Sequence, residues 1–259
     1  PKIADRQKLD ENKARTIFFS SDEVVTIRQR AEAAISTAEN GMKRNSFRHI
    51  VDGTTKALEE SQGTGSIPAS ERLYQFKITL LESEPPIWRR IQVKNCTLDK
   101  LHEHIQTSMG WTNSHLHQFE IYGVIHGDPE LLYEGWQDET PPIDSLNTRI
   151  SQIVPKDGKR YSFRYEYDFG DDWQHEVLFE GCLRAGKGIR YPLCVEGERA
   201  CPPEDVGGVW GYAEFLEALA NPDHERHDDY QQWAGPFDSE EFDANKATKA
   251  MRRGLPDWR

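Results

Sequence analysis

Strict alternation of apolar and polar residues is the feature that most constrains the fold of this chain. Residues 74–80 alternate in this way, and the same period returns in residues 161–167 and 173–179. Successive side chains of a β-strand point to opposite faces, so this period predicts strands with one buried face. The two later stretches are joined by an Asp- and Gly-rich turn at 168–172, which predicts a hairpin whose turn is longer than two residues.

The other elements follow from capping residues, breakers and shorter apolar patterns. They are a second strand at 87–93, a helix after Thr97 that ends near Gly110, a third strand at 116–124, a short helix within 141–154, a Gly/Pro-rich loop from 181 to 211, and helices at 212–219 and about 243–253. Strands come first and helices last, and the strands neighbour one another as in hairpins. We therefore predict an α+β fold with a mixed or largely antiparallel sheet and packed helices.

The first 62 residues have a helical pattern instead. Ser20 and Glu23 fit a capping box, and apolar residues recur at helical spacing over 24–38 and 47–58. A Gly- and Ser-containing stretch follows at 61–66. We predict a helical N-terminal extension over 1–62, a linker over 63–71 and the α+β domain over 72–259.

Charge is distributed unevenly along the chain. The formal net charge is -12, and residues 204–243 alone hold 12 acidic residues against the single base Arg226. Such a surface repels phosphate backbones, so we do not expect bulk electrostatic binding of nucleic acid. A solvated acidic face that keeps the protein soluble is the simpler interpretation.

Hydropathy and cysteine content limit the cellular compartments in which we expect the protein. The mean hydropathy is -0.78, and no apolar run reaches the length, about 18 residues, that spans a bilayer. The first ten residues show no signal-peptide pattern, and four cysteines are too few for a disulfide scaffold. We expect a cytoplasmic protein that does not contact a membrane.

Histidine and aspartate residues suggest a metal site. His115 and His117 are two residues apart on a predicted strand, which places both imidazoles on one face. His175 lies on another strand, close to Asp168 and Asp171 of the turn. These three histidines would bind Zn²⁺ or a harder divalent cation, and an Asp would act as a base on bound water.

A simpler interpretation of the same residues remains open. His117 shares a face with Phe119 and Ile121, and His175 shares one with Val177, so both could be hydrogen-bonded residues at the core edge. Turn chemistry alone explains the Asp residues.

Three cysteines fall within twenty residues of one another. Cys182, Cys194 and Cys201 show no CxxC spacing, but together with His175 they would make a Cys₃His zinc site. Alternatively they are small, buried, reduced thiols.

The loop from Cys201 to Gly211 begins with residues that restrict the backbone angles and continues with residues that allow a wider range of them. Two prolines precede Glu204 and Asp205, and glycines follow them. Such a loop presents these acids at a defined place, or it leads them to the N-terminus of the helix at 212–219, the alternative we favour. Tryptophans beside these turns would line a pocket or peptide groove. The candidate binding-surface residues are Trp88, Arg90, Trp173, Glu204, Asp205 and Trp210.

Seven sequence blocks occur in an order that resembles the plasmid pRiA4b ORF-3-like family. The blocks are YQFKITL at 74–80, PIWRRI at 86–91, GW at 110–111, SHLHQF at 114–119, YDFGDDWQH at 167–175, CPPEDVGG at 201–208 and GY at 211–212. The resemblance implies a compact α+β domain similar to passenger proteins of insertion elements, some of which are labelled resolvase-like. Members often carry another Cys where this chain has Val206, which weakens a cysteine-rich metal site here.

Three functions are consistent with these observations. The first is a mobile-element-associated binding or accessory module, whose surface is built by the 168–175 turn and the 201–211 loop and whose partner is a protein or small ligand. The alternative is a metal-dependent hydrolase that uses the His/Asp cluster. A DNA recombination accessory is the weakest, because Arg89 and Arg90 point to opposite faces of a strand and no Arg cluster is recognisable. The sequence does not decide whether the protein is an enzyme.

Overall fold

An eight-stranded sheet organises the part of the chain that this computed structural model describes, residues 67–132 and 141–256. The helical extension predicted for 1–62 and most of the predicted linker lie outside the described residues. All described residues belong to one unit of the chain, Gly63–Arg259. Within the predicted linker, Ala69–Glu71 forms one turn of 3₁₀-helix.

The sheet is mixed. Its strands are β1 Arg72–Leu80, β2 Ile87–Lys94, β3 His117–Ile121, β4 Val124–Gly127, β5 Ile143–Asp144, β6 Tyr161–Tyr167, β7 Trp173–Arg184 and β8 Leu193–Glu198. They lie in the order β5-β4-β3-β6-β7-β1-β2-β8. Only the β4–β5 pair is parallel among the described pairs, and the rest are antiparallel. The predicted α+β class with a mixed sheet is confirmed.

Six helices accompany the sheet in the described residues. They are α1 Leu98–Met109, α2 Pro129–Leu132, α3 Ile150–Ile153, α4 Gly208–Ala220, α5 His227–Ala234 and α6 Ala244–Arg253. The predicted boundaries of α1 are confirmed, because the Thr97 side chain accepts a hydrogen bond from the Lys100 amide and Gly110 ends the helix with φ 116°. Asp243 caps α6 in the same way as Thr97 caps α1.

The hydrophobic core lies on one face of the sheet, under α1 and α6. Alternate residues of β1, β6 and β7 meet the apolar stripe of α1 there, and Phe76, Phe179, Leu101 and Ile105 are fully buried. Arg89 points to the same side and is 1% exposed. Its guanidinium donates to the carbonyls of four residues, which ties β2 to the end of α1 and to β8. Its neighbour Arg90 is on the other face, as the strand period predicts.

Several predicted elements need correction. The stretch 116–124 is not one strand: β3 turns at Tyr122–Gly123 into β4. The segment 141–154 contains β5 as well as α3. The predicted loop from 181 to 211 is wrong in part, because β7 continues to Arg184 and β8 pairs with β2. β8 is an edge strand in which only Cys194 is buried, so its sequence lacks a clear alternation.

Helix α5 was not predicted. Only Tyr230 is buried among its eight residues, so no apolar stripe marks it in the sequence.

No helix in the described ranges is long and apolar enough to cross a membrane.

Candidate functional site

Three separate segments meet at one end of the sheet. They are the connection from α1 to β3, the turn from β6 to β7, and the loop from β8 to α4. The Trp111 indole donates to the Pro202 carbonyl at 2.9 Å, and the Asp168 amide donates to the Leu116 carbonyl at 2.9 Å. These bonds hold the predicted turn and the predicted loop beside the histidine-bearing segment.

His115, Asp168 and Asp205 form the centre of this meeting point. Nε2 of His115 lies 2.8 Å from Oδ1 of Asp205 and 3.4 Å from Oδ2 of Asp168. One ligating atom from each residue lies within 4.8 Å of the other two, and within the described ranges no other His, Cys, Asp and Glu side chains form such a group. One imidazole and two carboxylates therefore converge from three segments.

The two carboxylate oxygens of Asp168 have different roles: one stabilises the turn and the other faces the candidate site. Oδ1 accepts hydrogen bonds from the amides of Gly170 and Asp171, at 3.0 and 3.3 Å. This is the turn chemistry that the sequence predicted. Oδ2 faces His115 instead. The Asp168 side chain is only 9% exposed, so a carboxylate oxygen is held away from water with an imidazole as its neighbour.

Glu204 is held in place by the segment that follows α1. Its carboxylate accepts from the Thr112 amide at 2.8 Å and from the Tyr167 hydroxyl at 3.0 Å. Tyr167 in turn accepts from the Ser114 amide at 3.0 Å. Burial, followed by the charge of Glu204, raises the pKa of Tyr167 well above its ordinary value. The hydroxyl therefore stays protonated and donates to Glu204.

The favoured alternative, that Glu204 and Asp205 serve the helix N-terminus, is wrong. The Glu204 carboxylate accepts hydrogen bonds from Thr112 and Tyr167, and the Asp205 carboxylate contacts His115. Gly207, which precedes α4, has no side chain to cap the helix. The loop presents its two acids to the meeting point instead.

Backbone contacts fix the distance between the turn and the loop. The Gly207 amide donates to Oδ2 of Asp171 at 3.1 Å. Gly208 has φ +68°, and a Cβ at this position would lie 2.5 Å from the Asp171 carbonyl oxygen. Only glycine combines this backbone angle with so close an approach. The turn and the loop thus form one continuous surface.

The site is rich in negative charge that no lysine or arginine of the described ranges balances. Asp168 and Asp205 pair only with His115 among the described residues. Within the same ranges no lysine or arginine pairs with the nearby Asp171, Asp172 or Glu204. Imidazole and carboxylate groups suit zinc and manganese, and a divalent cation would supply the missing positive charge. The residues present fit such an ion.

The whole of this arrangement lies within one family match. The family profile of the plasmid pRiA4b ORF-3-like proteins matches residues 72–246. The chain belongs to this family. The predicted resemblance is confirmed, and His115, Asp168 and Asp205 all fall inside the matched range.

Two relatives in this family extend the comparison. The chain is 44% identical over 172 residues to "Uncharacterized protein y4hQ" of Sinorhizobium fredii, a match that covers 66% of this chain and 85% of that protein. It is also similar to the crystal structure of the protein of unknown function MM3350 from Methanosarcina mazei Go1. That match has 40% identity and a TM-score of 0.59, and it covers 68% of this chain and 96% of the other.

The structure does not bring His117 and His175 to the site. β3 begins at His117, so His115 precedes the strand and the two imidazoles do not share a strand face. The His117 ring stacks on His102 at 3.4 Å, and His175 is fully buried, with Nδ1 donating to the Trp173 carbonyl at 3.0 Å. Burial lowers the pKa of both His117 and His175 to about 4. The hydrogen-bonded core-edge interpretation therefore holds for Nδ1 of His175, whereas Nε2 of His117 and of His175 is buried without a partner among the described residues.

The three clustered cysteines do not assemble with His175. Cys182, Cys194 and Cys201 are free thiols, and none belongs to a ligand group in the described residues. Burial raises the pKa of Cys182 and of Cys194 to about 11, and that of Cys201 further. Cys194 is buried and the other two are half-buried, so the three resemble the small reduced thiols of the alternative interpretation.

The predicted binding-surface residues lie in different places. Trp173 is 1% exposed and packs on Trp111, so its assignment to a surface is wrong. The partners of Trp88 and Arg90 are on strands of the sheet, on the face opposite the core. Trp210 is 88% exposed on α4. Asp205 reaches the His115 cluster, with Glu204 beside it.

Sequence reasoning missed two features of this region. It assigned Asp205 to a binding surface rather than to the His/Asp cluster, because Asp205 is ninety residues from His115 in sequence and only the fold joins them. It also missed the aromatic residues of α5. Tyr230 and Trp233 are three residues apart between two prolines, but one such pair is too short to mark an apolar stripe.

Proposed function

We propose that this protein is a binding or accessory module that holds a divalent cation with His115, Asp168 and Asp205. The binding surface is the one made by the 168–175 turn and the 201–211 loop. The observation that carries the proposal is the half-buried His115 imidazole between two carboxylates from distant segments, with all ligating atoms within 4.8 Å.

Burial of Asp168 supports a cation rather than a simple hydrogen-bonded cluster. A carboxylate that is 9% exposed is costly to keep charged unless a positive group lies beside it. Asp205 adds a second negative charge, so two carboxylates face one imidazole in this cluster. A cation at the centre would offset both charges and would use the Nε2 that now contacts them.

A metal-dependent hydrolase is the second candidate. Catalytic zinc sites have three protein ligands and leave a position for water. The cluster has three candidate ligands, and the side chains of His115 and Asp205 are 30% and 69% exposed, so water and a substrate can reach them. This hydrolase would use Asp205 in place of His117 and His175.

DNA recombination gains no support from the arginines. The Arg89 guanidinium is buried against main-chain carbonyls, and Arg90 pairs with Glu180 and Glu196. Neither is placed to stabilise a transferring phosphate. The association with mobile elements rests on the family resemblance alone.

Calorimetric titration of the metal-free full chain with ZnCl₂ and with MnCl₂ tests the cation site. We expect one site per chain for at least one of the two ions. Asp205→Asn removes a ligand charge while its side chain still tolerates the positive φ of 59° at this position. We expect this variant to lose about tenfold or more in affinity, as is usual when a metal site is damaged.

Asp172→Asn is the matched control. Asp172 lies in the same turn as Asp168, has a positive φ of 54° as Asp205 does, and is outside the ligand group. It should bind the cation like the unmodified chain. Absence of stoichiometric binding, or equal loss in both variants, would contradict the proposal. Hydrolysis of ester or phosphodiester substrates by the metal-loaded chain, abolished by His115→Ala, would favour the hydrolase over the binding module.

A further inference from the structure

A groove opens beside the candidate cation site, between α4 and α5. It has a volume of about 440 Å³, and its lining includes Asp205, Glu214, Arg226, Asp229, Tyr230 and Trp233. Asp205 belongs to both the groove and the cation cluster. A molecule in the groove would therefore lie directly against the site proposed above.

The groove combines aromatic rings with carboxylates. Tyr230 and Trp233 are three residues apart on α5, and Trp233 is 49% exposed. Glu214, Asp229 and Asp205 add three carboxylates around these rings. Aromatic faces and carboxylates together attract cations, and planar guanidinium groups suit both at once.

The chain itself places one guanidinium in this groove. The carbon at the centre of the Arg226 guanidinium lies 4.1 Å from the centroid of the Tyr230 ring. Nη1 of the same group donates to Glu214 at 3.0 Å. Arg226 is the single base among the 12 acids of residues 204–243. Its side chain is 45% exposed, so another guanidinium can compete for the same ring and carboxylate.

We propose that this groove binds an arginine-bearing segment of a partner protein, which replaces Arg226 on Tyr230 and Glu214. This proposal names the partner class of the binding module and so rests on the function proposed above. Charge complementarity supports it, because the acidic stretch 204–243 surrounds the groove. Trp210, 88% exposed, lies one helical turn before Glu214 on α4 and outside the lining of the groove.

The test is fluorescence anisotropy with the full chain and a short fluorescein-labelled peptide that repeats Arg-Gly-Ser. Trp233→Ala and Glu214→Gln should each weaken binding by about fivefold or more, which is the range expected for a central aromatic or charged contact. Arg226→Gln should strengthen binding by about threefold or more, because it removes the internal competitor. A gain of affinity from removing an arginine is not expected of a merely structural residue.

Two control variants separate the groove from bulk charge. Lys159→Gln makes the chain more negative by the same amount as Arg226→Gln, and Asp157→Asn makes it less negative by the same amount as Glu214→Gln. Both residues lie in the turn before β6 and outside the groove. Neither change should move the affinity by more than about twofold at physiological ionic strength, because distant surface charges are screened. Thermal melting confirms that each variant is folded.

Three results would overturn the inference. They are no binding of the peptide, weaker binding by Arg226→Gln, and equal competition by spermidine, which would identify a small polyamine rather than a protein segment as the ligand. The cation site fails separately. Peptide binding by the unmodified chain together with a flat metal titration of the same chain would contradict the cation site and leave the groove, whereas metal binding without peptide binding would contradict the groove alone.

Discussion

At the scale of single residues, the site depends on acidic residues that each make more than one contact. Asp168 stabilises its own turn through Oδ1 and faces His115 through Oδ2. Glu204 accepts from both Thr112 and Tyr167 and thereby sets the position of the next residue, Asp205. Glu204 is thus a positioning residue, and Asp205 is the one that reaches the proposed cation.

Removal of the Glu204 carboxylate should destabilise the fold measurably. In Glu204→Ala the Thr112 amide and the Tyr167 hydroxyl both lose an acceptor in a part-buried place. We expect a loss of about 1–3 kcal/mol in the free energy of unfolding, the cost of leaving buried donors unsatisfied. Urea denaturation measures this loss.

Glu217→Ala, on the exposed face of α4, is the control and should change the free energy of unfolding by less than about 0.5 kcal/mol. Equal losses in the two variants would contradict the role of Glu204.

At the scale of elements, the contact between the turn and the loop depends on the backbone of Gly208. Alanine at this position must adopt a φ near +68° and place its Cβ against the Asp171 carbonyl. Gly188 has a similar φ of +74°, but a Cβ there would meet nothing within 4 Å. The two glycines therefore separate backbone strain from loss of the contact.

We expect Gly208→Ala to weaken cation binding and Gly188→Ala to leave it unchanged. Both variants should lose about 1 kcal/mol of stability from the left-handed backbone angle, and Gly208→Ala should lose more because the loop must shift. Calorimetric metal titration and urea denaturation of the pair provide the measurement. Unchanged metal affinity in Gly208→Ala would show that the turn and the loop need not touch for the site to form.

The sequence predicted best those helices and strands whose own residues show a full hydrophobic pattern or clear capping residues. β1, β6, β7 and α1 have full alternation or clear caps, and they were placed to within a few residues. β8 and α5 were missed because partners elsewhere stabilise them: β8 depends on pairing with β2, and α5 packs one tyrosine on α4. The site was found in part for the same reason. His115 and Asp168 were candidates, but their proximity to Asp205 arises only from the fold.

At the scale of the whole molecule, buried histidines link stability to pH. Burial lowers the pKa of His104, His117 and His175 to about 4, whereas in the unfolded chain these groups titrate near 6.5. The unfolded state therefore binds more protons between these values, and stability must fall as the pH drops from about 6.5 towards 4. The shift of His175 alone corresponds to roughly 3 kcal/mol across this window.

Urea denaturation at pH 7.5 and at pH 5 tests this link. His175→Phe keeps an aromatic ring, a larger one, between Trp111 and Tyr165 but cannot take up a proton. It should cost about 1–2 kcal/mol at pH 7.5, from the lost hydrogen bond to Trp173, and should lose less stability than the unmodified chain on going to pH 5. An identical pH dependence in the two proteins would exclude His175 as a source of the acid sensitivity.

A crystal structure of the whole molecule with bound metal is the most direct test of the proposed cation site. Crystals of the full chain grown with MnCl₂ should show an anomalous difference peak about 2.0–2.3 Å from Nε2 of His115 and from carboxylate oxygens of Asp168 and Asp205, the range of bonds between divalent metals and nitrogen or oxygen ligands. Crystals of Asp205→Asn grown in the same way should lack the peak. No peak at this position in the unmodified chain, in crystals grown with MnCl₂ and in crystals grown with ZnCl₂, with the His115–Asp205 contact retained, would contradict the account.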